Sequence, residues 1–225
     1  FLYKKAMFVF KNVSREKMSF IKEATIMSQH YYSNKPQTES KPNKFNFTLL
    51  GHTFTFTTDA GVFSKSEVDF GSRVLIDAFA MPDIDGPLFD VGCGYGPIGL
   101  SIAHQYPDRI VHMMDINERA VGLCRTNAQL NGVQNVRIFE SNGLQACTEQ
   151  DAAAILTNPP IRAGKETIFR FYDEAYDKLR ANGELWIVIQ KKQGAPSTIA
   201  HLEEKFAEVE VVEKKKGYWI VRAIK

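Results

Sequence analysis

The eleven residues from Phe89 to Gly99, Phe-Asp-Val-Gly-Cys-Gly-Tyr-Gly-Pro-Ile-Gly, constrain this chain more than any other stretch. An apolar strand runs into Asp90, then into glycines at alternate positions, Gly92, Gly94 and Gly96. Pro97 and an apolar helical pattern follow. Pro97 suits the first turn of a helix, where its missing N–H costs nothing. Glycines at this spacing let a ligand lie against the main chain, and the stretch predicts strand, loop and helix start in that order. A strand-to-helix turn that merely uses glycine is the plainer alternative.

Two ligand classes fit the loop. Gly94-Tyr95-Gly96-Pro97-Ile98-Gly99 matches the G-x-G-x-x-G of dinucleotide sites, in which a pyrophosphate rests on the helix N-terminus. Asp90, two residues ahead of the first glycine, would set a carboxylate close to those phosphates. The longer pattern D-x-G-x-G-x-G suits instead a ligand with an ammonium, a sulfonium and no phosphate. On these residues, Asp90, Gly92, Cys93, Gly94 and Gly96, the sequence resembles the class I methyltransferases. The resemblance implies S-adenosylmethionine as cofactor.

With 225 residues and 44% hydrophobic content, the chain is long enough for one good core, and one domain with an N-terminal extension is expected. No apolar run approaches a membrane span, and the first residues are too charged for a signal peptide. Cys93, Cys124 and Cys147 lack the paired spacing of a disulfide framework or a zinc site. These features point to a reducing cytoplasm, with no membrane and no metal. The net charge of +2 hides an asymmetry: residues 1–26 hold six basic against two acidic residues, leaving 22 against 24 for the remainder. Any RNA contact of the folded part is therefore a local patch rather than a global field.

Residues 1–26 show no clean period, and Leu2-Tyr3-Lys4-Lys5-Ala6 resembles a cloning linker, so a vector-derived or disordered extension is expected there. Residues 27–225 are then a single methyltransferase domain. His30, Tyr31 and Tyr32 read either as an arm that stacks on unpaired bases or as aromatics that tack the tail to the domain. Phe45, Phe47 and Leu49, then Phe54 and Phe56, alternate with polar residues and predict a hairpin over residues 44–58. A helix is predicted from Glu67 to Ala80. Beyond the glycine loop, strands are predicted at 110–114, 136–139, 152–156 and 184–189, with helices at 118–130, 167–179 and 198–206. Two antiparallel strands, 209–212 and 218–223, end the chain.

This order predicts an α/β fold. It is a doubly wound, mostly parallel, seven-stranded Rossmann-like methyltransferase sheet with an antiparallel C-terminal strand and an N-terminal β-hairpin. Ligands in such sheets bind beyond the carboxyl ends of the strands, at the switch in strand order. The candidates Asp90 to Gly96, Asp115, Asn142 and Asn158 all fall at those ends.

Asp115 ends the second strand, where a carboxylate can accept both hydroxyls of an adenosine ribose; capping the next helix is its alternative role. Ile116 offers an apolar face to an adenine ring. Asn142, followed by Gly143, stands where class I enzymes commonly place an Asp that accepts from the adenine amino group, and its amide oxygen can accept as well. Asn158-Pro159-Pro160-Ile161 follows the fourth strand. Two prolines remove two N–H donors and leave nearby carbonyls facing the pocket, and Asn158 adds a side-chain acceptor. Acceptors gathered at one point suit a planar –NH₂ group, although a lone Asn-Pro-Pro is often just a turn.

Asn158 and Pro159 are thus the candidate catalytic pair. Accepting both hydrogens of a delocalised amine favours a pyramidal nitrogen and disperses the charge that develops on methyl transfer. Alignment of that nitrogen with the methyl carries much of the remaining rate.

The longer run Asn158-Pro159-Pro160-Ile161-Arg162-Ala163-Gly164-Lys165 resembles the small-subunit ribosomal RNA guanine-N2 methyltransferases. So do Gly61-Val62-Phe63-Ser64 and Val68-Asp69-Phe70-Gly71-Ser72-Arg73, and the similarity runs from about Met27 to the C-terminus. The resemblance implies transfer to the exocyclic amino group of a guanine in 16S ribosomal RNA, with RNA or the small ribosomal subunit as partner. It puts Phe63 and Asp69 near cofactor or target base, and Pro160, Ile161, Arg162 and Lys165 on the substrate side. Arg162 and Lys165 read as phosphate contacts or as solvated loop charges.

Enzymes acting on glutamine amides or adenine carry Tyr or Phe where Ile161 stands, so a stacking partner for a flipped base must come from elsewhere. Larger family members carry a second, N-terminal methyltransferase-like domain, whereas this sequence offers only the hairpin and tail. N-methylation of protein glutamine or of another RNA base, and non-catalytic RNA binding, are the alternatives.

Overall fold

The computed structural model describes residues 39–64, 66–160 and 163–225. The chain opens with β1 (Asn43–Leu49) and β2 (His52–Thr58), followed by α1 (Phe70–Ala78). The alternating part comprises β3 (Leu88–Val91), α2 (Pro97–Gln105), β4 (Val111–Asp115), α3 (Glu118–Leu130) and β5 (Val136–Glu140). It continues through β6 (Ala152–Thr157), α4 (Lys165–Lys178), β7 (Leu179–Gln190), α5 (Ala195–Glu203), β8 (Glu208–Lys215) and β9 (Tyr218–Ile224).

Seven strands form one sheet in the order β5-β4-β3-β6-β7-β9-β8. The pairs β5–β4, β4–β3, β3–β6 and β6–β7 are parallel, and β9 runs antiparallel to both β7 and β8. The expected fold class is the observed one. Side chains alternate across the sheet, so Leu88 joins the core beneath α1, α2 and α3 while its neighbour Phe89 joins the core beneath α4 and α5. The chain builds outward from β3 through β4 to β5, then returns to place β6 on the other side of β3. That reversal opens a crevice at the carboxyl ends of β3 and β6.

Several element boundaries differ from the expected ones, and for three of them the physical cause is plain. Helix α1 begins at Phe70 rather than Glu67 because the Asp69 carboxylate accepts from Ser72 N and caps it. Strand β7 begins at Leu179, directly after α4, rather than at Glu184. The turn-like residues Arg180 to Gly183 are absorbed by a register shift against β6, in which Ala152 pairs with Leu179 but Ala154 pairs with Glu184. Helix α5 starts at Ala195 rather than Thr198, since Gly194 at φ 108° turns the chain there and Pro196 tolerates the first turn.

The hairpin is its own two-stranded sheet. Its two-residue turn, Leu50-Gly51, has φ values of 48° and 78°, as a type I′ turn requires. Phe54 and Phe56 are fully buried, each worth about 2–3 kcal/mol of apolar transfer. Phe56 meets Tyr95 of the glycine loop edge-on at 5.5 Å.

The open edge of β2 is closed by side chains of α3 and of its C-cap residue, Asn131, rather than by a strand. Asn127 Oδ1 accepts from Thr57 N at 2.7 Å, and Asn127 Nδ2 donates to Thr57 O at 3.0 Å. Asn131 repeats the pair with Thr55 at 2.8 and 2.9 Å. The match is geometric: four residues of helix advance about 6 Å and two residues of strand about 6.8 Å. Asn127 Nδ2 also reaches Tyr95 O at 2.8 Å, so one buried amide joins hairpin, helix and glycine loop. Among the described residues no helix is long and apolar enough to cross a membrane.

Candidate active site

Val91 and Thr157 are register partners in β3 and β6, so Gly92 and Asn158 emerge side by side at the reversal of strand order. A cavity of about 160 Å³ opens there. Gly92 and Thr157 lie at its base, Asp115-Ile116 and Asn142-Gly143 on one side, and Asn158, Pro159 and Pro160 on the other. Phe171 and Glu174 of α4 complete the wall. Neither was anticipated: which face of an amphipathic helix meets a pocket depends on how the helix packs, not on its period alone.

The rest of the glycine loop works behind the cavity. Asp90 is fully buried, and its Oδ2 accepts from Gly99 N at 2.8 Å. Its Oδ1 has no hydrogen-bond partner among the described residues. Burial pushes the carboxyl up to about 7, opposed by the Gly99 bond and reinforced by the charge of Asp115. Gly99 itself admits no side chain, because a Cβ would lie 2.6 Å from Met113 Cε and 2.8 Å from Asp90 Oδ2.

This arrangement bears on the dinucleotide alternative. Pro97 has no N–H and the Gly99 N–H is taken by Asp90, so the helix N-terminus is left with few donors for a pyrophosphate. Cys93 is buried, and its interaction with the Cys124 thiol together with burial pushes its pKa well up. Cys93, Gly94 and Gly96 lie outside the cavity lining, and their part is to shape the turn that brings Gly92 to it. Gly96, at φ 104°, begins α2, and a Cβ there would meet Leu100 at 2.8 Å and Cys124 Sγ at 2.9 Å.

Asp115 is held by the backbone on both oxygens: Oδ1 accepts from Asn117 N at 2.8 Å and Oδ2 from Gly94 N at 2.9 Å. Burial raises its pKa, while these bonds favour the anion and offset part of the rise. The helix-cap alternative fails, because Asn117 caps α3 by accepting from Arg119 N and Ala120 N at 3.0 and 3.3 Å. Each Asp115 oxygen retains acceptor capacity toward the cavity.

Asn158 is oriented from outside its own strand. Its Nδ2 donates to Asp69 Oδ1 and to Ser72 Oγ, both at 3.1 Å. Both amide hydrogens are thus engaged, and Oδ1 is the atom with capacity to spare. The two prolines are not equivalent. Pro160 O accepts from Ala163 N at 2.8 Å, so it is not a free acceptor as the doubled proline had suggested. No described residue donates to Pro159 O.

The substrate-side candidates divide. Pro160 lines the cavity, whereas Phe63 and Lys165 do not. Phe63 is 53% exposed, on a loop held where Asn117 Nδ2 donates to Gly61 O at 3.1 Å. Lys165 starts α4 with its ammonium 5.0 Å from the centre of the Phe169 ring. Ile161, Arg162, His30, Tyr31 and Tyr32 lie outside the described residues. No metal was expected. His112, Cys147 and Glu149 do bring ligand atoms within 4.8 Å of one another, but His112 lies three residues back along β4 from Asp115. That is about 10 Å from the cavity end of the strand, and the Glu149 carboxylate there is already paired with Arg137 at 3.0 Å.

A seven-stranded sheet in this order, with a glycine loop after β3, an acid after β4 and Asn-Pro-Pro after β6, defines a Rossmann-like methyltransferase. The chain belongs to the methyltransferase small domain family, whose model matches residues 53–222. It is 56% identical over 200 residues to the uncharacterized protein YbxB of Bacillus subtilis, covering 88% of this chain and 100% of that one. It is also 29% identical over 199 residues to the ribosomal RNA small subunit methyltransferase C of Shewanella amazonensis, covering 87% of this chain and 55% of the relative.

Among solved structures it resembles the 16S rRNA N2 methyltransferase of T. thermophilus in complex with AdoMet and guanosine, at a TM-score of 0.74 and 26% identity. That match covers 84% of this chain and 52% of the other. The chain therefore spans about half the length of these ribosomal RNA methyltransferases. The expected cofactor, S-adenosylmethionine, agrees with the family and with the AdoMet held by the structural neighbour.

Proposed function

We propose that this protein transfers a methyl group from S-adenosylmethionine to the exocyclic N2 amino group of a guanine in 16S ribosomal RNA, in the cytoplasm. The observation that carries this reading is the Asn158 amide, whose hydrogens are held by Asp69 and Ser72 so that its oxygen is the acceptor beside Pro159. The relatives of stated activity act on small-subunit ribosomal RNA, and one was solved with guanosine.

The residues of the cavity fit the cofactor. Asp115 would accept from the ribose hydroxyls, Ile116 would pack on the adenine, and Asn142 Oδ1 would accept from its amino group; all three line the cavity. Gly92 and Gly143 keep the backbone low against the ligand. Asp90, expected from the sequence to meet the cofactor, is fully buried and does not line the cavity; its part is to hold the glycine loop through Gly99 N. When bound, S-adenosylmethionine supplies an electrophilic methyl on a cationic sulfur.

The remaining chemistry belongs to the chain. Asn158 Oδ1 and the Pro159 carbonyl accept the two hydrogens of the guanine amino group and draw its lone pair out of the ring. As the methyl passed to nitrogen and the sulfur left with its bonding pair, these oxygens would disperse the charge arriving on nitrogen. The surplus proton leaves to solvent after transfer. Holding nitrogen, methyl carbon and sulfur in line supplies much of the acceleration.

The test is mass spectrometry of ribosomal RNA nucleosides from cells with and without the protein, where one N2-methylguanosine is expected to disappear. A methylated glutamine lost from a protein instead would move the activity to peptide amides. Tight cofactor binding with no methylated product would leave a non-catalytic RNA-binding factor.

A further inference from the structure

Residues 27–225 are slightly acidic as a whole, so an RNA-modifying reading requires a concentrated basic surface. We propose that a shelf of five lysines on the rim of the sheet, Lys191, Lys192, Lys214, Lys215 and Lys216, holds the single-stranded RNA that flanks the target base. This deepens the function proposed above and rests on it.

The topology puts the shelf beside the catalytic amide. Moving outward along the rim from Asn158 at the end of β6, the next positions are the end of β7 and then β9 and β8. Because β9 is antiparallel, its first residue, Tyr218, lies on this rim beside Gln190 and Lys215. Lys191 N donates to Gly217 O at 2.8 Å and ties the two lysine segments together. Three strand spacings carry the shelf about 14 Å from β6.

All five lysines are exposed, and none lies within ion-pair distance of a carboxylate among the described residues. Glu213 is the single acid in the two segments, and its carboxylate accepts from Lys214 N at 3.0 Å. Elsewhere on the surface, by contrast, Arg137, Arg170, Lys205 and Arg222 sit against carboxylates.

Aromatic rings interleave with these charges. Lys214 and Lys191 lie 4.4 and 5.9 Å from the Trp219 ring, and Lys216 lies 5.2 Å from Phe70. Phe70 in turn meets Tyr218 at 5.6 Å. Ammonium groups resting on ring faces are held in place without being neutralised. Phe70 is also the neighbour of Asp69, which orients Asn158. Shelf and catalytic amide thus share a dipeptide.

The ligand chemistry follows. A base amino group reaches a cavity at the rim only when the base is out of its stack, which costs least where the strand is already single, and the phosphates beside it must then cross the rim. On the other side, the ends of β4 and β5 present Asp115 and Glu140, which repel phosphate. The lysine side attracts it.

The test uses the full chain and a fluorescent single-stranded RNA containing guanine, with Lys191→Gln, Lys192→Gln, Lys215→Gln and Lys216→Asn combined. Asn is chosen at Lys216 because φ there is 47°. Binding measured between 50 and 200 mM salt should show a log–log slope shallower by about 2.8, at roughly 0.7 per lost phosphate contact. KM for RNA should rise at least tenfold, while kcat at saturating RNA, the affinity for S-adenosylmethionine and the melting temperature stay within twofold or a few degrees. An unchanged slope and KM would overturn the shelf. So would a variant that loses affinity for poly-glutamate but not for RNA, since the surface would then serve an acidic protein. The slope is read from binding without turnover. Failure of the unaltered protein to methylate RNA would therefore count against the proposed function and not against the shelf.

Discussion

Asn158 and Asp69 stand 89 positions apart and share a hydrogen bond of 3.1 Å from Nδ2 to Oδ1. The same Asp69 oxygen accepts from Ser72 N at 3.0 Å. One carboxylate therefore starts helix α1 and sets which end of the Asn158 amide is left for a substrate. Under the proposed function, that cap also positions the catalytic amide.

That double role separates two variants. Asn158→Ala is expected to lower kcat about 10²–10³-fold, the usual loss of one preorganised acceptor or donor, with the melting temperature nearly unchanged. Asp69→Ala is expected to lose about 0.5–2 kcal/mol of stability as a lost cap and to lower kcat as well. Asp69→Asn keeps a cap and an acceptor and should recover both. Steady-state kinetics with denaturation curves decide it, and full activity in Asp69→Ala would remove Asp69 from the site.

Asp115 is expected to govern cofactor affinity rather than turnover. Its oxygens are fixed by Gly94 N and Asn117 N, so a bound ribose finds a preset acceptor pair. Hydrogen bonds to a charged group are worth about 1.5–3 kcal/mol, and Asp115→Ala should weaken S-adenosylmethionine about 10- to 100-fold by calorimetry. An unaltered dissociation constant would place the ribose elsewhere.

Asp90 makes stability depend on pH in an unusual direction. Its carboxyl rises from an ordinary 3.8 to about 7 in the folded chain. The folded state therefore binds the proton more tightly than the unfolded state. The stabilisation from this group is fully present below about pH 4, is lost as pH climbs toward 7, and stays lost above. Asp90→Asn keeps an acceptor for Gly99 N but cannot ionise. Stability of the native chain minus that of the variant, from urea unfolding without cofactor, should fall by a few kcal/mol between pH 4 and 7 and then level off. A flat difference would mean that Asp90 ionises normally.

The side-chain ladder on β2 predicts a different lesion. Asn127→Ala leaves Thr57 N, Thr57 O and Tyr95 O without their partner, and each buried orphan costs about 1–3 kcal/mol. A loss of about 2–4 kcal/mol is expected. Amide exchange should accelerate first in β1, β2 and the glycine loop, because Asn127 joins them. Uniform acceleration across the whole sheet would show that the hairpin unfolds with the rest and that the ladder has no local role.

Much of the fold was legible from local pattern. Apolar alternation located the hairpin through Phe45, Phe47, Phe54 and Phe56, and the alternation of strands with helices gave the sheet its class. Boundaries slipped for two reasons: the local cap by Asp69 trimmed α1, and a register shift against β6 carried β7 back to Leu179. Of the candidate residues, Gly92, Asp115, Ile116, Asn142, Gly143, Asn158, Pro159 and Pro160 do line one cavity. Asp90, Cys93, Gly94 and Gly96 are set behind it, where they shape the turn that brings Gly92 to the cavity.

The sequence alone determined which residue types stand at each strand end, because glycine, proline and asparagine impose local backbone and hydrogen-bonding constraints that need no partner. Only the folded chain decided that Asn158 would be turned by Asp69 and that Asn127 would take the edge of β2. It also decided that two lysine runs more than twenty residues apart would meet on one rim. Each of those depends on strand order, and strand order is a property of the packed sheet that no short stretch of chain carries.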